Sequence, residues 1–227
     1  MQGPRNRQPG RGEYHRALVL TARKTPRYAR VMRFVLLATL LTLAALSAPS
    51  QTPPVGKAEG VAGAPVAIEL YSDFECPACR TLHEQLLPSL RKDYVAKGKV
   101  YLVHREFPLT IHAFARQAAL YATAAARIGK YTPVSDALFR MQASWSVDGK
   151  VDQIACSVLS PAEAVKVRAL VKAPSIAAEV QRDVEAGQKA DLKQTPTMIV
   201  TFRMKQYPLA TTNYDLVRRF LDDLLAK

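Results

Sequence analysis

The 227-residue chain is poor in the residues that build metal centres. It holds three cysteines, Cys76, Cys79 and Cys156, and four scattered histidines, His15, His83, His104 and His112. A structural zinc site needs four ligands, and neither a second Cys-x-x-Cys nor a His pair is present to complete one. A copper-handling site would call for more Met or His beside Cys76 and Cys79. The following helix offers only His83, on a different turn, and it reads as a solvated surface residue. No internal repeat is apparent. Tryptophan occurs once, as Trp145, and reads as core. The apolar fraction of 48% is enough for a packed interior, so disorder is not the default.

Clustered positive charge is also missing from the body of the chain. The net charge is +13, but residues 1–48 hold nine Lys/Arg against one acid, Glu13. The remainder carries 23 bases and 18 acids, a net of +5. A nucleic-acid footprint would place the charge on the folded domain, and no nucleic-acid partner is expected. Phe34 to Leu46 is uncharged and apolar. It is short for a bilayer span of roughly 20 residues and suits the core of a signal peptide. Residues 32–48 therefore read as a signal peptide, with cleavage near Ala45-Leu46-Ser47, or as a membrane anchor if uncleaved. No cysteine follows the run, which excludes a lipoprotein anchor. Because Met32-Arg33 alone would open a compact signal, residues 1–31 read as a misassigned basic extension. Residues 49–64, rich in Pro, Gly and small residues, read as a flexible linker.

From residue 65 the pattern is that of an α/β domain. "VAIELY" (66–71) is a strand. It runs through Ser72-Asp73-Phe74-Glu75 into Cys76-Pro77-Ala78-Cys79 and a helix whose Leu82, Leu86, Leu87 and Leu90 recur at helical spacing. Pro77 suits the first turn, and Pro88 should kink that helix or end its first segment. "KVYLVHREF" (99–107) is a second strand. Residues 112–194 form a block of helices. "TPTMIVTF" (195–202) and "KQYPL" (205–209) are strands, and a last amphipathic helix is N-capped by Asn213.

This order, strand–CxxC–helix–strand, helical block, strand–strand–helix, is a thioredoxin-like core with an inserted helical domain. Over residues 64–227 the chain resembles the DsbA-like thiol–disulfide oxidoreductases. The matching pieces are "SDFECPAC" after a strand, "HREFPL" closing the next, the helical insertion, and "TPT" opening the third.

Three readings of Cys76 and Cys79 compete: half of a metal site, a structural staple, or a redox pair. As a staple the pair is weak, since so short a ring restrains the unfolded chain little. The redox reading follows from position. At a helix N-terminus, free N–H groups and the macrodipole favour a Cys76 thiolate. Cys79, one turn in and more buried, is then the resolving thiol. Pro77 and Ala78 offer the Cys76 sulfur neither charge nor a side-chain hydrogen bond. Glu75 would oppose ionisation if it pointed at the sulfur.

The resemblance adds further expectations. In thioredoxin-like proteins the proline matching Pro196 is cis and faces the cysteines, so Thr195 and Pro196 are expected to bind substrate. Well-known members carry a histidine where this chain has Ala78, and its absence counts against a strongly oxidising poise. Members often carry a buried acid six residues before the first cysteine. That position is Leu70 here, while Glu69, on the opposite strand face, reads as a solvated charge. Cys156 reads as a buried core thiol, with a third redox thiol as the alternative. His112 is expected to help start the insertion's first helix, without a catalytic partner.

Together these readings give an exported thiol–disulfide oxidoreductase of the periplasm or cell envelope, more an oxidase than a reductase or isomerase. It would use no cofactor and no metal, act on cysteine-containing envelope or secreted proteins, and depend on a membrane redox partner. The alternatives are a reductase or isomerase of the same fold, a non-catalytic thioredoxin-like binding domain, or, disfavoured by the paired cysteines, a glutathione-using transferase or isomerase on a related fold.

Overall fold

The computed structural model describes residues 56–227. The basic extension, the signal or anchor segment and the linker up to residue 55 lie outside the described residues. Among the described residues no helix is long and apolar enough to cross a membrane.

Five strands form one mixed sheet: β1 (Ala58–Glu59), β2 (Val66–Ser72), β3 (Val100–Glu106), β4 (Thr197–Phe202) and β5 (Lys205–Leu209), in the order β1-β3-β2-β4-β5. β2 and β3 run parallel, as the helical crossover between them requires, and the other pairs are antiparallel. One face of the sheet presents Val66, Ile68, Leu70, Val100, Leu102, Met198 and Val200, which are all but inaccessible. They pack on the helix α1 (77–95) and on α8 (Tyr214–Leu225). Each leucine so buried contributes about 2 kcal/mol.

Pro88 does not end α1. Leu82–Leu86 and Arg91–Val95 are π-helical turns flanking α-helical Pro77–Thr81 and Leu87–Leu90. The N–H of Leu87 donates to the carbonyl of Leu82, five residues back. A widened turn of this kind accommodates the proline ring and its missing donor while the helix runs on. Leu86, Leu87 and Leu90 stay fully buried around it, so packing outweighs the local break.

The insertion comprises six helices: α2 (Ala115–Ala126), α3 (Tyr131–Arg140), α4 (Gln142–Asp148), α5 (Val151–Cys156), α6 (Pro161–Val171) and α7 (Pro174–Lys189). Its core gathers Ala118, Ala122, Leu138, Phe139, Trp145 and Val167, and it extends to Phe74, Cys76 and Cys79. Helix α7 covers the second face of the sheet. There Tyr71 and Phe107 meet edge to face, and Gly187 gives them room.

The linker expectation needs correction from residue 56 onward. Ala58 and Glu59 pair with Val103 and Leu102 of β3. Lys57 is fully buried, with its ammonium 2.6 Å from Asp183, 3.4 Å from Glu179 and 3.8 Å from Glu106. Glu59 accepts two hydrogen bonds from Arg91, each 2.8 Å, and lies 2.7 Å from His104. These ion pairs, which no local pattern announces, hold the segment as a short edge strand.

Candidate active site

β2 ends at Ser72, and the chain turns into α1 around the buried Asp73. The Glu75 N–H donates to Asp73 Oδ1 at 2.7 Å, and the Cys76 N–H donates to the Asp73 carbonyl at 3.2 Å. This is an Asx-type turn, with the side chain standing in for a backbone acceptor. Cys76 then occupies the N-cap in an extended conformation, with Pro77 at the first helical position.

The two thiols, present as the free dithiol, have been driven in opposite directions. Cys76 is brought down to about 5, chiefly by a hydrogen bond from Cys79. The Thr195 side chain and the N–H groups of Cys79 and Ala78 add to this, and together they overcome the effect of burial. Cys79 is fully inaccessible and lies far above the ordinary thiol range, first through burial and then through the bond and charge of Cys76. The Asp73 N–H donates to its sulfur at 3.4 Å. At neutral pH the Cys76 sulfur therefore favours the thiolate, while Cys79 keeps its proton.

Across from the pair, the Thr195–Pro196 peptide is cis. The Cys76 thiol donates to the Thr195 carbonyl at 3.4 Å. The Thr195 hydroxyl is buried without another partner, free to donate to a Cys76 thiolate. Pro77 and Ala78 are exposed beside it. Cys76, Cys79, Pro77, Ala78, Thr195 and Pro196 thus form one site.

Cys156 stands apart, in α5 of the insertion, where its thiol donates to Asp152 at 3.5 Å. Burial, and then the Asp152 charge, raise its ionisation to about 11, as suits an unreactive core thiol. Trp145 is fully buried, its indole N–H donating to the Leu138 carbonyl at 2.7 Å. Among the described residues no group of three or more His, Cys, Asp or Glu could hold a metal ion.

Several side chains sit otherwise than the sequence suggested. Glu69 is not a solvated charge. It pairs with Arg105 at 2.5 Å, and Arg105 reaches on to Asp183 at 3.0 Å. His83 is not on the surface. It is buried, 2.6 Å from Asp136 and stacked on Phe139 with ring centroids 4.5 Å apart. Glu75 accepts the N–H of Phe114 at 2.8 Å, so its carboxylate is engaged with the start of the insertion. His112 does not start α2, which begins at Ala115. Its Nδ1 lies 2.7 Å from Asp73 Oδ2, which also accepts the Leu109 N–H at 2.8 Å. Gln142 donates to the carbonyls of Phe74 (2.7 Å) and Cys76 (3.0 Å), tying α4 to the active turn. Of these contacts, only the Asp73 turn has a local signature in the sequence.

The thioredoxin family model matches residues 53–223. A probable disulfide bond formation protein D of Bacillus cereus is 27% identical over 173 residues, covering 72% of this chain and 76% of that protein. Among solved structures, oxidised BdbD of Bacillus subtilis superposes with a TM-score of 0.64 at 22% identity, covering 77% of this chain and 97% of the other. Alpha-DsbA1 of Wolbachia pipientis gives 0.64 at 17% identity, covering 80% and 95%. The family model spans most of the chain, which therefore belongs to the thioredoxin family, and its fold, a thioredoxin core with a helical insertion, is that of the DsbA-like structures it superposes on.

Proposed function

We propose that this protein is an exported thiol–disulfide oxidoreductase that donates its Cys76–Cys79 disulfide to cysteine pairs of envelope or secreted proteins. The observation that carries the reading is the placement of Cys76 at the N-cap of α1 against the Thr195–Pro196 turn, with Cys79 buried one turn behind it. This arrangement lowers the ionisation of Cys76 and raises that of Cys79. A substrate thiolate attacks Cys76, and Cys79 leaves and takes up a proton. The second substrate thiolate then attacks the sulfur joined to Cys76, forms the substrate disulfide and expels Cys76 as thiolate. Two electrons pass from the substrate dithiol to the protein; of the two protons released, Cys79 keeps one and the solvent takes the other. A good leaving thiolate and a stabilised reduced state both favour this direction.

Thr195 and Pro196 stand beside the reacting sulfur, where an extended substrate segment would lie against the Thr195 backbone. The apolar run 34–46 behind a basic residue supports export, with the cell envelope as the place of action. Sustained oxidation requires a membrane partner that withdraws the electrons; work as a reductase would require one that supplies them.

The test is the equilibrium of the purified protein against glutathione buffers, with Cys76→Ser as control. A potential well above the glutathione pool supports the oxidase. A potential near that of thioredoxin makes it a reductase or isomerase. Absence of any reversible disulfide leaves a binding domain.

A further inference from the structure

The Pro77-Ala78 dipeptide brings no charge to the Cys76 sulfur, and two carboxylates, Asp73 and Glu75, stand in the same turn. By themselves these groups disfavour a further negative charge there. The loop after β3 brings an imidazole to the same place. Phe107 begins it, its N–H donating to the Ser72 carbonyl at 2.8 Å, and Leu109 and His112 both bond to Asp73 Oδ2. Asp73 is thus shared. Its N–H reaches the Cys79 sulfur, one carboxylate oxygen shapes the active turn, and the other holds the histidine.

Resting on the function proposed above, we infer that Asp73 and His112 are positioning residues that set the poise of the redox pair: His112, held by Asp73, supplies from the loop the positive charge that the dipeptide lacks. His112 contacts Asp73 from the turn after β2, and the charges of Glu75 and Cys76 at the head of α1 also act on it. Burial works against its protonation. The hydrogen bond and charge of Asp73, and then the charges of Glu75 and Cys76, outweigh it and hold the imidazole above its ordinary range. The coupling is reciprocal: whatever the Cys76 thiolate does to His112, the imidazolium does to the thiolate. It favours the reduced state, which makes the disulfide the stronger oxidant.

Reciprocity gives a test on the unmodified protein. The His112 ring resonance is followed against pH by NMR in the disulfide and dithiol forms. It is expected to titrate at higher pH in the dithiol form, where the thiolate is present; equal midpoints overturn the inference. A second arm compares H112Q with H112K. H112Q should raise the ionisation midpoint of Cys76 and move the glutathione equilibrium toward the protein disulfide, about tenfold for each pH unit of that rise. Such a tenfold change corresponds to about 30 mV. H112K should restore both. If both variants leave the Cys76 midpoint and the equilibrium at wild-type values, His112 is only a loop clamp and the inference fails. A wild-type protein that forms no reversible disulfide would instead remove the function, and this inference with it.

Discussion

The sulfur of Cys76 and the carbonyl oxygen of Thr195 meet at 3.4 Å across 119 positions of the chain. The reacting sulfur is thus presented by two elements at once, the head of a helix and the turn before β4. The thiol form uses the carbonyl as acceptor, while the thiolate has the otherwise unpaired Thr195 hydroxyl as donor.

Replacing Cys79 by Ser should trap substrates. Cys76 can still attack, but nothing resolves the product, so mixed disulfides should accumulate as mobility-shifted bands on non-reducing gels. Cys76→Ser should give none and abolish exchange.

Alkylation of reduced Cys76 should follow a titration with a midpoint of about 5, against about 8.5 for an unperturbed thiol. The same shift links redox state to stability. Between these pH values the unfolded reduced chain holds a proton that the folded protein has released, so folded stability rises with pH. Denaturant melts from pH 5 to 8.5 should therefore show the reduced form gaining on the oxidised form, and losing that gain as pH falls toward 5.

Lys57→Ala should strip Glu106 of its cation and leave Asp183 and Glu179 to Arg105 and Arg127 alone, around an empty position. Removing one partner of a buried ion cluster costs about 3–5 kcal/mol, readable as a lower urea midpoint. Lys57→Met, which fills the space, leaves Glu106 without a cation and Asp183 and Glu179 with only Arg105 and Arg127, and should also destabilise.

Gly187→Ala should destabilise even though alanine is the better helix former by about 1 kcal/mol. Its methyl would come within 2.5 Å of the Phe107 ring and 3.2 Å of Tyr71. Urea denaturation should show a loss, and Phe107→Leu in the same chain should relieve part of it.

The core of the fold was legible because it rests on local pattern: alternation in 66–71, leucines at helical spacing after Cys79, a breaker-bounded strand at 205–209, an Asn at the last N-cap. The cysteine site was legible because each half has its own signature, CxxC at a helix start and Thr-Pro before a strand. Contacts between residues distant in sequence left no such mark. Lys57 finds Asp183 across 126 positions, and His112 finds Asp73 across 39. Neither has a periodicity, so Lys57 read as part of a linker and His112 as a helix starter. Pro88 shows the opposite case. The local rule is sound, but buried leucines on both sides keep the helix going by widening its turns.

The apolar interior of the insertion does not stop at its own helices; it takes in Phe74, Cys76 and Cys79 and also encloses the chain's only tryptophan, Trp145. Making or breaking the sulfur–sulfur bond alters volume and charge at the border of that shared interior. The indole, sealed from water in the same enclosure, is therefore expected to fluoresce differently in the disulfide and dithiol forms.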